Sequence, residues 1–172
     1  MLLPIILCEM LATADANGIR ANGFELAKVE FRTNFSGFYQ IKTAVDGSSS
    51  TPEKEFAEMT RMLNYIISRL AFHEMRMHAN MALTRHIREH VSAIEGEFDM
   101  LSKAPSSDKA STPNSNLGIQ VLKNASRRLM QRVKHLEAEH EALLLEIACH
   151  SKIAQSQLQI VNIPSIPSLS KH

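Results

Sequence analysis

Stepping along the chain by alternate threes and fours from Phe56 meets Met59, Leu63, Ile66, Leu70, His73, Met77, Asn80, Thr84, Ile87, Val91, Ile94, Phe98 and Leu101. This is a heptad stripe, apolar at both ends and polar in the middle, and it predicts one long amphipathic helix. A second stripe follows at the same spacing: Ile119, Leu122, Ser126, Leu129, Val133, Leu136, His140, Leu143, Ile147, His150, Ala154, Gln157 and Val161. Between them Ala104-Pro-Ser-Ser-Asp-Lys-Ala-Ser-Thr-Pro-Asn-Ser-Asn116 reads as a polar turn. The two stripes therefore predict a helical hairpin over 52–161 with its turn at 104–117. Thr51 as N-cap, Pro52 at the first helical position and Glu53 and Glu55 in the first turn mark its start. A Gly- and Ser-rich loop occupies 36–51. Asn162-Ile-Pro-Ser-Ile-Pro ends the second helix, and 162–172 reads as a disordered tail.

The first 35 residues are less regular. Pro4, Ile5, Ile6 and Cys8 open a short helix over 4–16 that Asn17-Gly18 is expected to stop. A second short helix is predicted from about Gly23 to Thr33, with Phe24, Ala27, Val29 and Phe31 as its apolar side. The fold class is thus all-α: two short N-terminal helices, then a long antiparallel hairpin.

Charge sets the expected register. Folding at the turn places residues opposite one another when their numbers sum to roughly 220, as an antiparallel pairing requires. Glu95, Glu97 and Asp99 then face Lys123, Arg127 and Arg128, while Arg69 and Arg76 face Glu141 and Glu146. Asn80 falls opposite His140.

Composition agrees with helices: nine Met, no Trp and two Tyr among 172 residues. A net charge of +1 gives no overall attraction to nucleic acid or anionic membrane. Cys8 and Cys149 do not form a disulfide framework and read as reduced thiols of a cytoplasmic protein. The opening Met1-Leu-Leu-Pro-Ile-Ile-Leu-Cys lacks a basic flank and is interrupted by Glu9. It falls short of the ~20 apolar residues of a membrane helix, and no other stretch is read as coming close.

His86-Ile-Arg-Glu-His90 matches the inverted zinc-protease pattern, in which two His one turn apart hold Zn²⁺ and Glu activates water. The heptad frame gives Ile87 and Val91 to the seam, puts His86 and Glu89 outside and leaves His90 flanking the seam, so the expected environment is a solvated helix face. His73-Glu-Met-Arg-Met-His78 has one residue too many for the related direct motif. The polar seam positions His73, Asn80, Thr84, His140 and His150 read as devices that fix register at a cost in stability. Lys123, Arg127, Arg128, Arg132 and Lys134 form a basic stretch without interleaved aromatics, followed directly by Glu137, Glu139 and Glu141. That favours a solvated face over a nucleic-acid site. No residue is assigned a catalytic, cofactor-binding or metal-binding role, and no cofactor is expected.

Three stretches resemble the cytoplasmic region of fungal CorA-like proteins, relatives of the CorA magnesium and zinc transporters. They are Leu2-Leu-Pro-Ile-Ile-Leu-Cys-Glu-Met-Leu with Asn22-Gly-Phe-Glu-Leu, Met62-Leu-Asn-Tyr-Ile-Ile-Ser-Arg-Leu-Ala-Phe-His-Glu, and the helix from Arg128 to Gln157, which is similar to the start of the stalk helix. Ser68-Arg-Leu-Ala-Phe-His carries the most weight. The membrane helices, the Gly-Met-Asn pore loop and the upstream α/β portion of that family have no counterpart in these residues. The resemblance implies a truncated, non-catalytic module that cannot conduct ions alone and acts in assembly, with a helical protein or a second copy as partner. A free-standing antiparallel coiled-coil scaffold is the alternative.

Overall fold

A computed structural model describes residues 2–33, 52–103 and 113–161. The loop at 36–51, Thr51, residues 104–112 of the expected turn and the tail from 162 lie outside the described residues. The described chain is all helical and contains no strand. It forms α1 (Leu2–Thr33), α2 (Pro52–Lys103) and α3 (Pro113–Val161). Pro52 and Pro113 each open a helix, as the missing proline N–H and preset φ favour. The expected turn at 104–117 is therefore too long: α3 already begins at Pro113, and 113–117 are helical.

The two long stripes are buried in the phase their spacing predicts. On α2 every stripe position from Met59 to Val91 is buried, His73, Asn80 and Thr84 included. On α3 Ser126 is buried, as are Val133, Leu136, His140, Leu143 and Ile147, and then Ala154, Gln157 and Val161. Tyr65, Phe72, Met75 and Leu145, off the stripes, remain exposed.

The N-terminal region departs from expectation. One helix of 32 residues replaces the two short ones and runs through Asn17-Gly18 and Gly23 without a stop. Its most deeply buried positions are Ile5, Cys8, Ala12, Asp15, Ile19, Asn22, Leu26 and Val29, each at most 2% exposed, with Ala16 beside them at 7%. That is again strict three–four spacing. Two interior glycines cost about 1 kcal/mol each in helix propensity. Burying Ile19, Leu26 and Val29 stabilises by roughly 1.5–3 kcal/mol apiece, so the stripe wins. Phe24 and Phe31 fall outside that phase and are each 72% exposed.

As a single helix, Leu2–Thr33 is also long and apolar enough to cross a membrane by length and composition, which corrects the expectation that no stretch comes close. In its most apolar 18-residue window 33% is buried.

Packing divides the chain into two compact units, each taking a segment of all three helices. The first comprises 1–16 and 75–144. Its core joins Ile5, Cys8 and Ala12 of α1 to Ile87 and Val91 of α2 and Val133 and Leu136 of α3. Polar links surround that core. Asp99 pairs with Lys123 at 2.7 Å, Ser126 Oγ donates to Glu95 Oε1 at 2.9 Å, and Arg88 Nη1 meets Glu137 at 3.0 Å. Arg132 grips Glu9 of α1 with two donors, Nε to Oε1 at 2.9 Å and Nη2 to Oε2 at 2.5 Å. These flanking pairs are part-exposed, so each adds little stability, about 0–1 kcal/mol. Their value is in orientation.

The second unit comprises 17–74 and 145–172. Its buried apolar residues include Ile19, Leu26 and Val29 of α1, Leu63, Ile66 and Leu70 of α2, and Ile147 and Ala154 of α3. Here both glycines of α1 are explained by close approach. A Cβ on Gly18 would lie 2.5 Å from Cε1 of His73 and 2.7 Å from its Nε2. A Cβ on Gly23 would lie 2.8 Å from Cε1 of His150. Each glycine is a notch that receives an imidazole from a neighbouring helix.

Candidate functional site

The polar seam positions, not the exposed histidines, are the least ordinary chemistry in the molecule. In the first unit Asp15 of α1 is fully buried and meets Arg76 Nη1 of α2 at 3.4 Å. Arg76, expected to face Glu141, thus reaches across to α1. Thr84 Oγ1 bonds back to the Asn80 carbonyl at 2.8 Å, a local bond that satisfies a hydroxyl inside a buried seam. Cys8 lies against Thr84, and burial pushes its thiol up from the ordinary range, with the Thr84 hydrogen bond opposing and Glu9 reinforcing. A thiol held protonated is a packing group, not a nucleophile.

His140 of α3 is 0% exposed, and neither ring nitrogen has a hydrogen-bond partner among the described residues. Asn80 Nδ2 is likewise unpartnered. In the second unit both amide atoms of the fully buried Gln157, Asn22 Nδ2 and His150 Nδ1 share that condition. An unsatisfied buried polar group costs about 1–3 kcal/mol. These positions therefore subtract stability from a helical core that leucine would fill at no such cost.

His140 sets a pH response. Burial lowers its pKa below the ordinary 6.5 because the cation loses hydration, and the negative charges of Glu139, Asp15 and Glu137 oppose this only in part. The unfolded chain keeps the ordinary value. Above about pH 6.5 both states are neutral at this residue and it adds no pH dependence. Below that the unfolded state takes up a proton and the folded state does not, so stability falls with pH until the lowered folded value is passed. The slope for one proton is at most ~1.4 kcal/mol per pH unit. Urea unfolding between about pH 7.5 and pH 5.5 should show a smaller loss for His140→Leu than for the parent, with a higher plateau at neutral pH. Equal losses would contradict the neutral, buried assignment.

His86 and Glu89 occupy the outer face as the heptad frame requires, with Ile87 and Val91 buried, and His90, expected to flank the seam, is exposed as well. Their Nε2 atoms are 3.0 Å apart and their rings meet edge to face at 83°. Among the described residues no group of three or more His, Cys, Asp or Glu side chains is placed to hold a metal ion. A groove of about 630 Å³ in the first unit is lined by Leu2 of α1 and by Val121, Ala125, Leu129, Arg128 and Arg132 of α3, with Asn124. Of the basic stretch, Arg132 and Lys123 are committed to Glu9 and Asp99.

Asp15 and Asn22 are the seam residues that sequence reasoning missed. The signal was present in the spacing 5, 8, 12, 15, 19, 22, 26, 29, masked by a polar residue at two of its steps and by the Asn-Gly pair.

No protein-family profile matches the chain, and neither curated proteins nor solved structures give a significant match.

Proposed function

We propose that the chain is a non-catalytic helical assembly module of the kind found in the cytoplasmic and stalk region of CorA-like divalent-metal transporters, with α2 and α3 as an antiparallel hairpin. The observation that carries an assembly role is the second apolar face of α1. In the second unit Phe24 and Phe31 stand seven residues apart and are each 72% exposed, while Ile19, Leu26 and Val29 of the same helix are buried. A helix apolar on both sides has a further surface to cover. Heptad spacing suits another helix as the cover. The polar seam fits the same role, because residues such as His140 and Asn80 give up stability for a single register. Arg128 to Gln157, the stretch resembling a stalk, lies within one unbroken helix.

Sedimentation velocity at tens of micromolar tests the assembly role. The parent chain is expected to associate, and the Phe24→Glu, Phe31→Glu variant to sediment as a monomer with unchanged helical content by circular dichroism. Identical distributions for the two would overturn it. For the scaffold alternative, binding some other helical protein, the discriminating observation is contiguous coding sequence. Two apolar helices joined by Gly-Met-Asn would favour the transporter family, and their absence from the full transcript the scaffold.

A further inference from the structure

We infer that His86 and His90 form a two-point chelate for a late first-row divalent ion, with Ni²⁺ and Cu²⁺ preferred over Zn²⁺. The geometry carries this. One turn of α2 sets the two Nε2 atoms 3.0 Å apart on its exposed face. A metal about 2.1 Å from each nitrogen then sees them at an angle of about 90°. That is the cis angle of octahedral or tetragonal centres, the geometries of Ni²⁺ and Cu²⁺. A tetrahedral Zn²⁺ would need the nitrogens spread to about 3.4 Å. Imidazole nitrogen is a poor ligand for Mg²⁺ and Ca²⁺, which seek oxygen.

The surroundings suit a surface chelate. Buried Ile87 and Val91 anchor the turn, so both Cα positions are fixed before an ion arrives. Arg88, between the two histidines in sequence, points its guanidinium at Glu137 of α3. At 3.0 Å the two Nε2 atoms share a hydrogen bond, and an ion replaces it once the donor ring carries its proton on Nδ1 instead, leaving both Nε2 lone pairs on the same side of one turn. The remaining coordination positions face solvent and take water. With two protein ligands the site binds an ion but does not enclose it.

This inference is independent of the assembly role, and its test leaves that role untouched. The full chain, free of any affinity tag, is titrated with NiCl₂ at about pH 8, because protons compete with a metal ion for imidazole nitrogen. One ion per chain is expected, and His86→Ala and His90→Ala should each weaken binding by about tenfold or more, since either leaves a single donor. His78→Ala and His135→Ala, which remove other exposed imidazoles, should bind as the parent does. Zn²⁺ should bind more weakly than Ni²⁺, and Mg²⁺ should give no heat. If either single variant of the pair binds Ni²⁺ as tightly as the parent, or His78→Ala or His135→Ala weakens it equally, the chelate is wrong. Zn²⁺ binding tighter than Ni²⁺ would overturn the cis geometry. All four positions are exposed, so circular dichroism should be unchanged throughout.

Discussion

Truncating Leu136 to alanine should destabilise the chain by about 2–5 kcal/mol, while Phe24→Ala should shift stability by no more than about 0.5 kcal/mol. Both residues are large and apolar, and hydrophobicity alone would rank phenylalanine first. Position in the stripe reverses that order. Leu136 is 1% exposed and packs in the core that α1, α2 and α3 build together. Removing its methyls loses transfer free energy and leaves a cavity among rigid helices that close only in part. Phe24 is 72% exposed, and its ring already sits in water in the monomer. Chemical denaturation of both variants checks this at low protein concentration, where association cannot add a contribution. Comparable losses would mean that Phe24 is a core residue and that α1 is turned about its axis from the orientation described.

Legibility of the sequence varied with the chemistry on each stripe. On α2 and α3 most stripe positions are Leu, Ile, Met or Val, so the three–four alternation stands out even with His73, Asn80 and Thr84 inside it. The buried set agrees with it residue by residue from Met59 to Val91. Of the expected charge pairs Asp99 meets Lys123, whereas Glu95 accepts from the Ser126 hydroxyl. Arg76 also meets Asp15, which belongs to a helix that a two-helix seam leaves out.

α1 was unreadable for three physical reasons. Two of its eight seam residues are polar, its outer face carries Leu3, Met10, Phe24 and Phe31, and Asn17-Gly18 imitates a helix stop. An apolar residue on both faces destroys the contrast from which a phase is read. Glycine has two uses at a helix, as a left-handed cap or as a place for a neighbour to come close. Local sequence cannot separate them. The imidazoles that fill the two notches come from residues 73 and 150, far along the chain.

The buried polar set was legible in part. His73, Asn80, Thr84, His140 and Gln157 appear in the stripes, so their burial follows once the helices pack. Which of them would find partners does not follow, since Thr84 bonds within its own helix whereas His140 meets no donor or acceptor among the described residues.

The central claim is that α1 runs as one helix through Gly18, a notch for His73 and not a cap. A double-mutant cycle on Gly18→Ala and His73→Ala tests it most directly. In the parent, the new methyl meets the His73 ring at 2.5 and 2.7 Å, and overpacking of this kind costs roughly 1–3 kcal/mol, more than the ~1 kcal/mol gained in helix propensity. Gly18→Ala should therefore be net destabilising. With His73 already alanine the clash is gone, and the same change should stabilise by about 0.5–1 kcal/mol, a reversal of sign measured by urea unfolding of the four chains. If Gly18 instead caps a short helix in a left-handed conformation, alanine will destabilise equally with and without the imidazole, and the continuous helix is refuted.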